Sequence, residues 1–251
     1  MKTTRFRRRG FSVMELAVVL GVFALLVLIV IPMMSHPRAK QTSQRMQCVN
    51  NQKQIGTAYR IWAGDNGDRS PAQVSNLSSN GGWGDFLKLT NAGVYCWSNY
   101  AIIQNELGQS PRVLICPSDD REAAKDFKNL KNKNVSYFFG TGATENFPMS
   151  IQGGDRNLAP GSTPKNDFGY SPRDDNGNDV ILQTNAPVCW SLRIHSAGNV
   201  VGCGIVLLGD GSVQQVSSAR FISDLQSVAL DAGSFPIGYI NRSNSFRLIF
   251  P

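Results

Sequence analysis

Histidine is nearly absent from this chain: His36 and His195 are the only two in 251 residues. The five cysteines, Cys48, Cys96, Cys116, Cys189 and Cys203, contain no Cys-x-x-Cys pair. These two shortages exclude the short-range ligand spacings of zinc fingers and ribbons, and His195 has no metal partner at a recognisable spacing. No G-x-S-x-G stands among the many serines, and no nucleophile, base and orienting residue form a signature, so an enzyme is not expected. Internal repeats are missing too. Acidic residues are missing from the first ten positions, which carry Lys2, Arg5, Arg7, Arg8 and Arg9. Of 25 basic residues, 20 remain beyond that leader against 18 acids, so the net charge of +7 falls to +2. The rest of the chain has no basic footprint for nucleic acid, and no nucleic-acid partner is expected.

What is present begins with an unbroken apolar run, LAVVLGVFALLVLIVI, from Leu16 to Ile31, extended past Pro32 by Met33 and Met34. About 20 residues cross a bilayer core of about 30 Å, so the run reads as a transmembrane helix. The arginines before it place the N-terminus in the cytoplasm and everything after Ser35 outside. IPMMSHPRA is a poor match to the small-residue site of a cleaved secretory signal. One residue fits a plain anchor badly. Glu15 stands at the polar–apolar junction, where an intramembrane carboxylate costs roughly 2.5–3.5 kcal/mol.

A basic leader, Gly10, Phe11, Glu15 five positions past the glycine, and then an apolar helix together resemble the signal of type IV pilins and type II secretion pseudopilins. The resemblance implies cleavage by a prepilin peptidase between Gly10 and Phe11, and N-methylation of Phe11. It also implies filament assembly in which Glu15 pairs with the Phe11 amine of a neighbouring subunit. A buried carboxylate with a charged partner is tolerable where an unpaired one is costly. The implied partners are the peptidase, other pilin or pseudopilin subunits and an inner-membrane assembly platform. The implied location is the inner membrane, single-pass, with the head extracytoplasmic. Pro32 lies where the family often has a helix-kinking proline.

The fold expected is α+β: a long N-terminal helix, its first half transmembrane, packed on an antiparallel sheet. Residues 1–10 are the leader, 11–35 the transmembrane and assembly helix, 36–66 its amphipathic continuation, and 67–251 a β-rich head. Residues 11–63 as one helix would span roughly 80 Å. Cys48, Ile55, Tyr59 and Trp62 form a helical stripe suited to packing on a sheet, and GDNGDRSP (64–71) ends the helix with turn chemistry. Extended runs are expected at 93–97, 112–116, 135–139, 188–194 and 205–216. The last reads as a hairpin with a two-residue type I′ turn at Asp210-Gly211. Helix is expected at 120–130 and 219–230, and long surface loops at 140–187. No cofactor is expected. A structural calcium is the one alternative, drawn by the carboxylates of GDNGD and by Asp174, Asn176 and Asn178, which lack the glycine and closing glutamate of an EF-hand. If the head is extracytoplasmic, disulfides are expected, with Cys96–Cys116 and Cys189–Cys203 the natural local pairs.

A narrower resemblance covers scattered head segments: CVNNQKQIGTAYRIWAGDNGDRSP (48–71), VLICPSD (113–119), NVSYFFG (134–140), GDRN (154–157) and GDGSVQQV (209–216). They resemble pilin-like proteins of planctomycete- and verrucomicrobia-type bacteria, which carry a histidine about nine residues before an Asp-Gly. Here His195 precedes Asp210 by fifteen positions. The function these features imply is a structural filament subunit. The alternative is a minor pilin or tip module whose loops at 140–187 grasp polysaccharide, a surface or DNA, with Tyr95, Trp97, Tyr137, Phe138 and Phe139 as candidate aromatic faces.

Overall fold

The computed structural model describes residues 12–34, 37–74, 95–172, 175–196, 202–231 and 245–251. The chain divides into two compact units, Met1–Thr42 and Ser43–Pro251, with the boundary inside a helix.

Two helices occupy the N-terminal part: α1 (Val13–Met34) and α2 (Pro37–Asp65). This corrects the expectation of one long helix. Proline fixes φ, lacks an N–H and disfavours α geometry in the residue before it, which makes Pro37 a helix start rather than a mid-helix residue. The transmembrane reading is corrected as well. Among the described residues no helix is long and apolar enough to cross a membrane. The uninterrupted apolar run of 16 residues from Leu16 to Ile31 falls short of the roughly 20 that a span requires. The single-pass inner-membrane placement loses its basis with it.

The second unit is built on a six-stranded antiparallel sheet in the order β4-β8-β1-β2-β6-β7. Its strands are β1 (Tyr137–Gly140), β2 (Ile151–Asp155), β4 (Asn178–Gln183), β6 (Cys203–Leu208), β7 (Val213–Ser217) and β8 (Ser245–Phe250). A separate ribbon pairs β3 (Leu158–Pro160) with β5 (Val188–Trp190). Helix α3 (Cys96–Ile102) and helix α4 (Ser218–Asp231) complete the unit.

Both faces of the sheet are covered, and the alternation of side chains across a strand sorts them into two cores. Tyr137 and Phe139 of β1, Ile205 and Leu207 of β6 and Ile249 of β8 join Cys48, Ile55, Tyr59 and Trp62 of α2 in one core. Phe138, Val206, Leu208, Leu248 and Phe250 point the other way, toward Trp190, Phe221 and Leu225. All four residues of β1 are therefore buried. The helical stripe of α2 packs as its spacing requires. Gly56 lets that helix approach closely, since a Cβ there would stand 2.8 Å from Leu207 Cδ1. The helix ends as expected, where Asn66 Nδ2 donates to the Trp62 carbonyl at 2.8 Å and Gly67 and Asp68 take positive φ.

The other expectations divide. Residues 135–139, 205–216 and 219–230 form β1, the β6–β7 hairpin and α4. The hairpin turn is different. Leu208 N donates to Ser212 O, Gly211 N donates to Leu208 O, and Gly211 alone of the turn residues takes φ +79. This is a three-residue loop with glycine in the left-handed position rather than a type I′ turn. Residues 96–102 are helical, 111–114 form a 3₁₀ turn, and 120–130 contain only the 3₁₀ turn Phe127–Asn129. Residues 140–187 carry β2, β3 and β4 instead of loops alone. In each case tertiary packing overrides a weak local preference.

Candidate functional site

Four polar side chains from four separate segments meet inside the second unit. Cys48 comes from α2, Cys116 from the segment after the 3₁₀ turn Pro111–Leu114, Asp155 from the end of β2, and His195 from the 3₁₀ turn Ile194–Ser196. Their thiol, carboxylate and imidazole atoms all lie within 4.8 Å of one another, and all four residues are buried. Cys116 Sγ is 3.3 Å from His195 Nε2, Cys48 Sγ is 3.5 Å from Asp155 Oδ1, and His195 Nε2 is 3.7 Å from Asp155 Oδ2.

Each group is held by further contacts. Asp155 Oδ2 accepts the Ile205 N–H at 2.8 Å, and Oδ1 accepts from Gln52 Nε2 at 3.3 Å. Tyr137 Oη lies 3.4 Å from Cys48 Sγ. The His195 carbonyl accepts from Arg45 Nη2 at 3.2 Å. Ile194, next to His195, has φ +57. A β-branched residue in that region is strained, and such strain gathers at sites that require one side-chain direction.

Burial sets the protonation states. It raises the Asp155 carboxyl to about 7, against the opposing hydrogen bonds from Ile205, Cys48 and Gln52. It lowers the His195 imidazole to about 4, helped by the charge of Arg45. It also pushes the Cys48 thiol well up, as do Cys116 and Asp155 beside it. Between about pH 4 and 7 the Asp155–His195 approach is thus one of two neutral groups, not an ion pair.

Next to this group lies a second buried arrangement. Arg156 donates to both oxygens of Asp119 at 2.8 Å and to Asp120 at 2.6 Å, with its guanidinium carbon 3.5 Å from the Phe168 ring centre. Arg121 donates to the carbonyls of Asn132, Val135, Pro172 and Pro251.

Gly10, Phe11 and Asp174 lie outside the described residues. Glu15 lies in the first turn of α1, where its carboxylate accepts the Ser12 N–H at 2.9 Å while Ser12 Oγ accepts from Met14 N at 3.2 Å. Ser12-Val13-Met14-Glu15 is thus a capping box, readable in the sequence as S-x-x-E, which gives Glu15 a local role. Asp175, in the second acidic stretch, accepts the Lys133 N–H at 3.0 Å. Tyr137, Phe138 and Phe139 are fully buried, which removes them as faces for sugars or bases, while Tyr95 is exposed and stacks on Trp97. All five cysteines are free thiols. Neither expected disulfide forms. Cys116 turns to Cys48 and His195, and Cys203 Sγ donates to the His195 carbonyl at 3.4 Å.

The members of the cluster are separated by 39 to 68 positions, far beyond the local spacings by which metal ligands are read from a sequence. A signal was present in another form. Cys48, Cys116 and Asp155 each lie in a segment quoted for the narrower resemblance, while His195 stands fifteen positions before Asp210 and so departs from the spacing of its motif. No family model matches the chain, and neither a curated protein nor a solved structure is similar to it.

Proposed function

We propose that the chain is a structural subunit of a type IV pilus-like or type II secretion-like filament, cleaved after Gly10 and assembled through α1. One observation carries this reading. Apart from Glu15, the side chains of α1 from Val13 to Leu28 are apolar and exposed, among them Val13 at 85 % and Leu28 at 73 %. Apolar surface of that extent marks an interaction face, and helices of identical copies laid side by side would remove it from water. Glu15 is the one charged residue of α1 and stands at its first turn, four positions along the sequence from the residue whose amine cleavage before Phe11 would expose. The partners are the processing peptidase, copies or relatives of the chain, and an assembly platform. The function is mechanical: polymerisation displaces the second unit, and no substrate bond is broken.

The test is co-expression with a prepilin peptidase, followed by intact-mass analysis and shearing of filaments. A mature chain beginning at N-methylated Phe11 and recovered in sheared filaments is the expected result. A chain that begins at Met1 or after Ala39, or that never sediments as a polymer, overturns the reading.

A further inference from the structure

We propose that Cys48, Cys116, Asp155 and His195 form a four-coordinate structural zinc site that ties α2 to the sheet. The site stands whether or not the chain polymerises.

Geometry is the first argument. With Zn–S near 2.3 Å and Zn–N near 2.0–2.1 Å, the ligand atoms of a tetrahedral site stand roughly 3.3–3.8 Å apart. Cys116 Sγ and His195 Nε2 stand 3.3 Å apart, within that range, and Asp155 lies 3.5 Å from Cys48 Sγ through Oδ1 and 3.7 Å from His195 Nε2 through Oδ2, so that either oxygen is placed to ligate. The widest, at most 4.8 Å, needs a contraction of about 1 Å.

Chemistry is the second. Two thiolates with one imidazole and one carboxylate select zinc over hard cations such as calcium and magnesium, which take all-oxygen sets. All four positions come from the protein and all are buried, which describes a closed structural site rather than a catalytic one with an open place for water. The same burial argues against a nucleophilic Cys–His pair, since buried thiols of this kind are inert.

The surroundings are the third. The Asp155 side chain is fully buried and accepts N–H donors from Ile205 at 2.8 Å and Gln52 at 3.3 Å, which fix its direction toward the other three groups. Such outer contacts orient metal ligands and hold their charge. Binding would proceed as Zn²⁺ plus two thiols, one carboxylic acid and one neutral imidazole, giving the bound ion and three released protons. The site then carries one net negative charge, which Arg45, fixed on the His195 carbonyl, faces.

The test uses the purified full-length chain. Metal content is measured, and the chain is then stripped and titrated with Co²⁺ as a spectroscopic probe. The expected result is one equivalent of zinc, and with Co²⁺ a thiolate-to-metal band together with the intense visible bands of a tetrahedral ion. Cys116→Ser and His195→Gln should weaken zinc binding by roughly a hundredfold or more, beyond the 10–100-fold typical of losing only an outer contact. Cys189→Ser, a buried cysteine outside the cluster, should bind as the parent does. Since a ligand variant can fail to fold, the parent decides: folded chain that takes up no zinc and gives no thiolate–Co²⁺ band overturns the proposal. So does a Cys48–Cys116 disulfide found by mass mapping of non-reduced peptides.

Discussion

In α1, the side chains from Val13 to Leu28 are apolar and exposed except for Glu15. In the second unit, Asp155, Arg156 and His195 are polar and buried, as is the side chain of Asp119. The two regions depart from the usual partition in opposite directions, and the difference shows what each lacks. Exposed apolar surface is relieved by any apolar cover, because the hydrophobic effect is non-directional. Buried polar groups are relieved only by specific partners at specific distances. Arg156 and Asp119 already have theirs. The apolar side chains of α1 need only an apolar cover.

The largest expected effect tests the buried side of this contrast. Arg156→Ala should destabilise the second unit by about 3–5 kcal/mol, since it leaves Asp119 buried without its partner. Chemical denaturation checks this, and Leu25→Ala in α1 should by contrast shift the same transition by no more than about 0.5 kcal/mol. The pH dependence follows. Burial alone would raise the Asp119 carboxyl, but its hydrogen bonds to and charge attraction for Arg156 outweigh burial and hold it below its usual value. A depressed folded-state value contributes stability that is present above the unfolded value near 3.9 and lost as pH falls through the folded one. Stability measured from pH 6 downward should therefore decline more steeply in the parent than in Arg156→Ala. Equal slopes would remove this pair from the acid response.

The next effect concerns α1. Glu15→Ala loses both the capping contact to Ser12 and the charge, while Glu15→Gln can keep the cap, since glutamine serves at that position of a capping box. Filament yield is expected to drop about tenfold or more in both, because the neighbour's Phe11 amine loses its counter-charge. Filaments from the glutamine variant alone would assign Glu15 to capping and sink the register contact.

Smaller effects sharpen the contrast between buried and exposed polar groups. Tyr59→Phe removes a buried hydroxyl that donates to the Asn99 carbonyl at 3.2 Å, and should cost about 1 kcal/mol in thermal or chemical unfolding. Arg60→Ala removes an ion pair to Glu145 that is about half exposed on both sides, and should cost less than about 1 kcal/mol. A larger loss from Arg60 than from Tyr59 would break the ordering.

Local chemistry accounts for what could be read directly from the residues. The stripe Cys48, Ile55, Tyr59 and Trp62, the turn at 66–68, the hairpin around Asp210-Gly211 and helix α4 depend on neighbours within a few positions, where periodicity and turn propensity act. The apolar character of α1 was equally plain, whereas the capping role of Glu15 emerged from its contact with Ser12. The strands expected at 93–97 and 112–116 and the helix expected at 120–130 do not form, because their apolar content suits strand or helix alike and long-range contacts decide. Cys96, at the start of α3, lies against β1, where its thiol donates to the Tyr137 carbonyl at 3.4 Å. Arg121 spends its donors on carbonyls as distant as Pro251, which leaves no reason for a helix around it. The Cys48–Cys116–Asp155–His195 group is the furthest from local reading. Its members stand on α2, a loop, β2 and a 3₁₀ turn, and only the packing of α2 on a sheet that pairs β2 with β6 brings them within 4.8 Å. Sequence alone determined which residue types were available and which stretches would coil or turn. Tertiary structure decided which of them meet, because ligand geometry depends on distances across the fold and not along the chain.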